Sequence, residues 1–274
     1  MINQSNNFDN IKVNIANIHN ELNSLLLVRK KSIKKNTILL FFICKIRFYL
    51  DVILQLLNLN YFLIINGFKK KWFTKFQNYW TTYLKGRPLK LHEFFFISFE
   101  YRKKNQIIKK LDWNKENDIL NWQDPVHISS IFNYIQKEEF KPIHSRKIFQ
   151  YYKKNLKILE YGCGIAPYYS LYNKYFKFLN CKWDLIDLEN HTYSYSKFKY
   201  FDNHDINNFH NITSKNLDNP TVYLGKYNLI IIREVFEHLP NPFTIISNLH
   251  SNLENNGILI FNYIISDAEG LDHP

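Results

Sequence analysis

Glu160 and the two glycines that follow it, Gly162 and Gly164, are the residues of this chain whose types and spacing best suit ligand binding. They come directly after the largely apolar residues 156–159, and a helical pattern begins shortly afterwards. Glycines allow the backbone to turn tightly or to approach a ligand, and the helix behind such a loop offers unpaired N–H groups. Because a carboxylate before the first glycine would repel a phosphate, the loop favours a ligand that carries an amine.

A second group of reactive side chains, Glu234, Glu237 and His238, follows the apolar run 227–232. Such a run is typical of a strand buried on both faces, and residues after it lie at the carboxyl edge, where open α/β sheets bind ligands. A neutral imidazole can accept a proton near pH 7, so His238 is a candidate general base and Glu234 a candidate residue beside the ligand.

The elements that position these residues alternate between strand and helix. Apolar runs predict strands over residues 156–160, 181–188, 227–232 and 258–265, with a weaker one over 199–201, and helical patterns lie over 168–178 and 242–253. This alternation predicts a parallel α/β sheet. Asp187 ends the second strand, where an acidic residue accepts the hydroxyls of a ribose, and Glu189 is the alternative for that role.

The two motifs, in this order, resemble those of class I S-adenosylmethionine-dependent methyltransferases. Residues 160–166, Glu-Tyr-Gly-Cys-Gly-Ile-Ala, are similar to the first motif of that family, and residues 233–242 are similar to its fourth-strand motif. The resemblance covers residues 150–265, which is under half of the chain. It implies a Rossmann-like sheet with strand order 3-2-1-4-5 and transfer of the sulfonium methyl group of S-adenosylmethionine to a nucleophile.

The resemblance also implies which residues contact the cofactor. Glu160 would hold the methionine amine, the glycine loop would line the methionine and the ribose, and an acidic residue near Asp205 would meet the adenine, with Asp202 as its competitor. The full set is Glu160, Tyr161, Gly162, Cys163, Gly164, Asp187, Leu188, Asp205, Ile206, Arg233 and Glu234. Two positions depart from the family pattern: Ala166 replaces the third glycine, which costs little at an ordinary φ, and Asn228 replaces an aspartate.

The segment Glu-x-x-Glu-His at residues 234–238 is also similar to the metal-binding segment of small-RNA 2′-O-methyltransferases. That interpretation needs a further histidine, and His250 and His273 are candidates by type alone. The same pair of residues is frequent in small-molecule methyltransferases, so we expect no metal here. An RNA acceptor stays an alternative, and a nicotinamide enzyme is disfavoured by the acidic residue before the first glycine.

The basic and acidic residues are unevenly distributed along the chain. Residues 1–110 hold 20 Lys and Arg against 5 Asp and Glu, whereas the remainder holds 16 against 19. We expect a basic, aromatic-rich and mainly helical region over residues 1–110, a helical lead-in or lid over 111–152, and the cofactor-binding domain over 153–274. A cationic face can contact anionic lipid or nucleic acid, and the lipid is favoured.

The apolar segment 38–65 is interrupted by Lys45, Arg47 and Asp51. A spanning helix needs roughly 20 mostly apolar residues, so this segment predicts a buried or interfacial helix instead. The three cysteines, Cys44, Cys163 and Cys181, have neither disulfide-framework nor metal-site spacing, and the first twenty residues show no signal-peptide pattern. We therefore expect a cytoplasmic protein, with peripheral membrane contact as an option.

The family fold adds a helix and a two-stranded hairpin after its fifth strand, and only nine residues follow residue 265. We therefore expect the hairpin to be missing, with either an incomplete domain or a fifth strand that something else covers. The sequence predicts methyl transfer to a small-molecule, lipid or sugar-type acceptor. The alternative from another class is a non-catalytic, methyltransferase-like binding module at a membrane or on a partner.

Overall fold

A computed structural model describes residues 37–57, 59, 63, 71–94, 96–97, 123, 128, 130–132, 134–135, 148, 150–239 and 241–262. Its helices and strands are α1 (Thr37–Leu56), α2 (Lys71–Thr82), β1 (Lys157–Tyr161), α3 (Pro167–Leu171), β2 (Lys182–Leu188), α4 (His191–Tyr200), β3 (Ile206–Ile212), β4 (Tyr227–Ile232), α5 (Pro242–Ser251) and β5 (Leu253–Phe261). A π-helical turn (Tyr172–Phe176) and a 3-10 turn (Lys177–Leu179) continue α3, and a second 3-10 turn spans Phe236–His238.

The five strands form one parallel sheet in the order β3-β2-β1-β4-β5, which confirms the predicted architecture. β1 is the central strand, with Glu160 paired to Leu185 of β2 and to Ile231 of β4. The three inner strands are buried almost throughout. Their continuous apolar runs follow from the helices that cover both faces of a parallel sheet.

The third strand lies at Ile206–Ile212, so its predicted position over residues 199–201 is wrong. Residues 199 and 200 instead form the last turn of α4, and Tyr200 is buried there. β3 is an outer strand of the sheet, and polar residues between Ile206, Phe209 and Ile212 weaken its apolar pattern. The observed strand therefore lies entirely after the predicted one.

The fifth strand also begins earlier than predicted, at Leu253, and α5 ends at Ser251. Tyr227 pairs with Leu253 and Leu229 pairs with Ile258, so the four residues 254–257 of β5 lie opposite the single residue Asn228 of β4. The Asn-Asn-Gly signal at 255–257 marks this irregularity, in which Asn256 has a φ of 63°, rather than the end of the helix. Residues 263–265, predicted as strand, lie outside the described residues.

α2 joins the N-terminal region to the sheet domain through aromatic side chains. Its apolar residues recur at helical spacing, and one face of the helix is buried. The shared core contains Trp72, Phe76, Tyr79, Trp80, Phe94, Phe132, Ile165 and Tyr195. Since Ile165 belongs to the glycine loop and Tyr195 to α4, the N-terminal region packs directly on the predicted cofactor-binding elements.

α1 packs on the sheet domain through one narrow stripe. Phe48 and Val52 are buried against Leu171 and Tyr175, with the rings of Phe48 and Tyr175 centred 5.1 Å apart. Seven other apolar side chains of this helix, named here the outer face of α1, are half or more exposed: Phe42, Ile43, Ile46, Tyr49, Leu50, Ile53 and Leu56. Among the helices that the structure describes, none is long and apolar enough to cross a membrane.

A buried polar cluster ties β2 to β4 near the amino edge of the sheet. The hydroxyl of Tyr227 donates to Asp184 Oδ2 at 2.7 Å, and His210 Nε2 lies 3.8 Å from Asp184 Oδ1. Burial raises the pKa of Asp184, but the contacts with His210 and Tyr227 and the charge of Lys157 outweigh it and hold this pKa below its usual value. The ionised carboxylate therefore stabilises the fold near neutral pH.

Tyr227→Phe should lower the free energy of unfolding by about 1 to 3 kcal/mol at pH 7, because it leaves a buried carboxylate oxygen unpaired. A depressed pKa contributes stability that is present above the unfolded value, about 3.9 for Asp, and lost as the pH falls through the folded pKa. The cost of the substitution should therefore be smaller at pH 4 than at pH 7, as measured by urea denaturation. Tyr223→Phe, at a side chain that is 93% exposed, is the control. An equal cost for both variants would contradict this role.

Candidate functional site

The glycine loop lies at the carboxyl edge of the sheet, directly after β1. Gly162 and Gly164 have φ values of 63° and 50°, in the left-handed region that favours glycine. The N–H of Cys163 donates to Ile186 O at 3.2 Å, which holds the loop beside the end of β2. The strand, turn and helix predicted around this motif are thus confirmed.

Glu160 turns its carboxylate toward the start of α3. Its Oε1 accepts from the N–H of Tyr168 at 3.2 Å and its Oε2 from the N–H of Tyr169 at 2.9 Å. These are N–H groups of the first helical turn, which have no partner within the helix. The side chain is buried, so its carboxyl group lies beneath the loop at the place where the sequence predicts an amine.

Asp187, near the end of β2, also contacts the glycine loop. Its Oδ2 accepts from the N–H of Gly164 at 2.5 Å, and its Oδ1 accepts from the N–H of Leu188 at 2.7 Å and from Asn190 Nδ2 at 3.2 Å. Burial raises the pKa of Asp187 to about 6, although these three donors act in the opposite direction. Near neutral pH the group is mostly ionised, and a hydrogen-bond donor or a cation that approaches would favour this state.

Tyr161 and Cys163 contribute backbone rather than side chains to the loop surface. Tyr161 packs in the core with Ile186 and Ile232. The thiol of Cys163 is buried, and burial raises the pKa of this thiol well above its usual value, helped by the nearby charges of Asp187 and Glu160. Cys163 is therefore a neutral thiol and not a nucleophile.

Ala166 departs from the expected conformation. Its φ of 57° and ψ of 60° lie in the left-handed region, so the expectation of an ordinary φ at this position is wrong. An L-residue in that region costs about 1 to 2 kcal/mol, which a glycine would avoid. The side chain is fully buried and its N–H donates to Cys163 O at 2.6 Å, so packing and a tight turn offset the strain.

Arg233 and Glu234 follow β4 at the same edge of the sheet. The Arg233 guanidinium carbon lies 6.0 Å from the centre of the Tyr168 ring, and its Nη2 lies 3.7 Å from Glu234 Oε1. Glu234 has a φ of 56°, and its N–H donates to Asn262 Oδ1 at 2.8 Å. The Asn262 amide in turn donates to the Glu234 carboxylate. Strained backbone of this kind is frequent at functional sites.

His238 ends the 3-10 turn that follows these two residues. Its N–H donates to Val235 O at 2.9 Å, Glu237 beside it is buried, and the imidazole is partly exposed. Among the described residues, no group of three or more His, Cys, Asp or Glu could hold a metal ion. His250, the proposed further ligand, lies in the last turn of α5 at the opposite edge of the sheet, and His273 lies outside the described residues.

Asp205 and Ile206 do not join this group. Asp205 directly precedes β3 and Ile206 is the first residue of that strand, so both lie at the amino edge of the sheet. Asp205 forms an ion pair with Lys177 at 3.2 Å. Their predicted position after the third strand is wrong. Asn211, which no sequence motif marked, pairs in register with Asp187 near the carboxyl end of β3.

Comparison with known proteins bears on this site. A family model described as a methyltransferase domain matches residues 132–273, more than half of the chain. No curated protein matches the sequence.

Solved structures with similar folds have low identity to this chain. The plantazolicin methyltransferase BpumL in complex with SAH is 20% identical, with a TM-score of 0.41 and coverage of 61% of each chain. PKMT2 from Rickettsia typhi in complex with AdoHcy is 20% identical, with a TM-score of 0.33 and coverage of 39% of this chain and 20% of that one. A SAM-dependent methyltransferase from Aquifex aeolicus is 17% identical, with a TM-score of 0.35 and coverage of 46% and 67%. The chain thus spans less than two thirds of the length of the first two.

Gly162→Ala should destabilise the protein more than Gly164→Ala does. A Cβ on Gly162 would lie 2.3 Å from Val235 Cγ2, whereas the atom nearest to a Cβ on Gly164 would be Thr192 Oγ1, at 3.5 Å. Both substitutions carry left-handed strain of about 1 to 2 kcal/mol, and the first adds a clash that must displace the segment after β4. Thermal and urea denaturation measure the difference. Equal destabilisation by the two substitutions would contradict the close approach.

Proposed function

This chain belongs to the methyltransferase domain family, and from that premise we propose that it transfers the methyl group of S-adenosylmethionine to a small-molecule or lipid-type acceptor. The observation that carries the proposal is the glycine loop held between two buried carboxylates, Glu160 below it and Asp187 beside it. This arrangement would put negative charge beside the amine and the sulfonium of the ligand, and it would repel a phosphate. A nicotinamide dinucleotide is therefore a poor fit.

The proposed cofactor cleft runs along the carboxyl edge of the sheet. Glu160 would attract the methionine amine, and the backbone of Gly162 and Gly164 would allow the ligand to lie close to the loop. Leu188 would contribute apolar contact at the end of β2. Arg233 and Glu234, after β4, would close the side of the cleft opposite β2.

S-adenosylmethionine supplies a methyl group already activated by the positive sulfur. When bound, it would supply this methyl group by direct displacement: the acceptor would bond to the carbon, and the electron pair of the broken carbon–sulfur bond would stay on sulfur in S-adenosylhomocysteine. The protein therefore acts mainly by positioning the two reactants. For a hydroxyl or protonated amine acceptor, His238 would take the proton that the acceptor releases, with Glu234 nearby at the same edge.

The acceptor would enter from the side covered by the N-terminal region. Residues of that region pack on Ile165 of the loop and on Tyr195 of α4, and His191 Nε2 lies 3.1 Å from Gln123 O. A cap of this kind suits a small acceptor, since it restricts the space above the loop. A non-catalytic binding module and an RNA methyltransferase remain the rival functions that experiment must separate.

Isothermal titration calorimetry should show binding of S-adenosylhomocysteine to the wild-type chain, and incubation with labelled S-adenosylmethionine and small-molecule or lipid extracts should show methyl transfer. His238→Ala should lower turnover by roughly a hundredfold, the effect expected for loss of a general base, and leave the Kd for S-adenosylhomocysteine nearly unchanged.

His250→Ala, at an exposed imidazole of α5 near the opposite edge, is the matched control and should retain full turnover. Loss of cofactor binding or of folding in His238→Ala would make that residue structural. Cofactor binding without any turnover would support the non-catalytic module, transfer to RNA alone would support the RNA alternative, and loss of activity with a chelator would restore the metal interpretation. Binding of NAD without S-adenosylhomocysteine would contradict the proposal altogether.

A peripheral contact with anionic membrane is the second part of the proposal. The outer face of α1 exposes large apolar side chains along a helix that also carries the exposed Arg47, in a region with 20 basic and 5 acidic residues. Apolar insertion combined with cationic attraction is the way in which interfacial helices bind anionic lipid. Such a location would bring the enzyme close to a lipid-type acceptor.

The double substitution Ile46→Glu and Leu50→Glu should abolish flotation with phosphatidylserine-containing liposomes, because it places two charges on the outer face of α1. These side chains are 59% and 54% exposed, so the fold should be retained. Phe243→Glu, at an 82% exposed side chain of α5, is the control and should still float. Absence of flotation by the wild-type chain at low and high salt would contradict the membrane contact.

A further inference from the structure

Arg233 places a guanidinium at the rim of the cleft, directly after β4. The guanidinium carbon lies 6.0 Å from the centre of the Tyr168 ring, and the side chain is 27% exposed. Burial raises the pKa of Tyr168 to about 12, although the charge of Arg233 acts in the opposite direction, so the phenol is neutral near pH 7. The ring therefore holds the guanidinium by a cation–π contact and does not neutralise its charge.

Glu234, the next residue, is a weak partner for this guanidinium. Its Oε1 lies 3.7 Å from Arg233 Nη2, which is longer than a hydrogen bond, and its side chain is 54% exposed. The Asn262 amide donates to the same oxygen, and Asn262 Oδ1 accepts from the Glu234 N–H at 2.8 Å. This reciprocal pair, named here the Asn262 clamp, holds the Glu234 carboxylate against the residue that follows β5 rather than against Arg233.

Arg87 shows how a fully paired arginine is arranged in the same chain. Its Nη1 and Nη2 donate to the two oxygens of Glu93 at 3.1 and 2.8 Å, which is the bidentate arrangement that a guanidinium and a carboxylate favour. Among the residues that the structure describes, none forms such a pair with Arg233. The planar fork of donors on Arg233 can therefore receive an anion from outside the protein.

The position of Arg233 separates its charge from the part of the cleft that would hold the cofactor. Tyr168 contributes its backbone N–H to Glu160 below the loop and its ring to Arg233 at the rim. Glu160 is buried, whereas Arg233 is partly exposed. A cofactor held over Glu160 would occupy the buried end of the cleft, so an anion that reaches Arg233 from solvent would belong to the second reactant.

We propose that Arg233 determines acceptor specificity: it binds a carboxylate or a phosphate that the methyl acceptor carries apart from its nucleophilic atom. This role rests on the proposed function and names the class of acceptor, an acidic small molecule or an anionic lipid. The Tyr168 ring and the Asn262 clamp position the guanidinium and keep Glu234 from neutralising it. An acceptor anchored in this way would have a fixed orientation, which accelerates a reaction between two bound molecules.

Chemical modification of arginine tests the anion site directly. Phenylglyoxal modifies accessible guanidinium groups, and mass spectrometry measures the rate at each arginine of the wild-type chain saturated with S-adenosylhomocysteine. Benzoate and phenyl phosphate should slow the modification of Arg233 by roughly threefold or more once they occupy most sites, and benzamide, the uncharged analogue of benzoate, should not. The rate at Arg87 is the control and should not respond to either anion, because Glu93 already occupies its donors.

Steady-state kinetics test the acceptor itself. Water-soluble and lipid extracts, each separated by anion exchange, should show labelled methyl transfer only in an acidic fraction, and the labelled extract identifies the source. Arg233→Met should raise the apparent KM for that fraction by roughly ten- to a hundredfold, the effect of a hydrogen bond to a charged group. The Kd for S-adenosylhomocysteine should stay nearly unchanged, because only the backbone of Arg233 would line the cofactor. Arg233→Lys should restore part of the acceptor affinity, since it keeps the charge but loses the planar fork.

Asn262→Ala tests the clamp without changing the guanidinium. It releases the Glu234 carboxylate to pair with Arg233, so benzoate should protect Arg233 less than it does in the wild-type chain. Asn248→Ala is the matched control and should keep full protection, because it removes an amide contact with Asp218 O, at 2.8 Å, near the opposite edge of the sheet.

Equal rates of modification at Arg233 with and without the two anions would overturn the proposal, and this result needs no variant to fold. Methyl transfer to the neutral fractions would also overturn it. So would a loss of S-adenosylhomocysteine affinity in Arg233→Met without a change in the acceptor KM, because Arg233 would then bind the cofactor. Failure of the wild-type chain to bind S-adenosylhomocysteine, or to methylate any fraction, would instead contradict the proposed function, so the two failures are distinguishable.

Discussion

The hydrogen bond from the Gly164 N–H to the Asp187 carboxylate is the contact on which the site depends. It joins the glycine loop after β1 to the end of β2, and Glu160 holds the opposite end of the loop through the first N–H groups of α3. Both carboxylates are buried, where a hydrogen bond to an ionised group is strong and an unpaired charge is costly. The loop conformation and the negative character of the cleft therefore have the same origin.

The same constraint accounts for the positive φ values at this edge of the sheet. Gly162, Gly164, Ala166 and Glu234 all have positive φ values, and all lie at the carboxyl edge or in the turn that leads from it. Gly162 leaves no room for a side chain against Val235, which brings the segment after β4 close to the loop. A strained conformation persists only when the surrounding structure holds it in place. At Ala166 the packing around the buried side chain does this.

The sequence predicted the parts of this fold in which local pattern and tertiary environment agree. β1, β2 and β4 are buried on both faces, so their apolar runs identify them, and the loop glycines mark the left-handed positions. β3 and the start of β5 were misplaced because both belong to outer strands, where polar residues such as Asn211 and Asn256 interrupt the pattern. The burial of Lys197 in α4 could not be predicted, since a lysine in a helix normally indicates solvent, and its partner Asn211 comes from a distant strand.

Ile165 connects the glycine loop to the aromatic core, so ligand binding at the loop would affect the stability of that core. This residue stands between two positive-φ positions of the glycine loop, and its side chain belongs to the aromatic core formed by α2 and its neighbours. A ligand that orders the loop would then also stabilise the N-terminal region, and by thermodynamic linkage anything that favours the packed N-terminal region would raise the affinity of the loop for its ligand. Residues of the aromatic core would in this way change the affinity of the loop for its ligand without contacting that ligand.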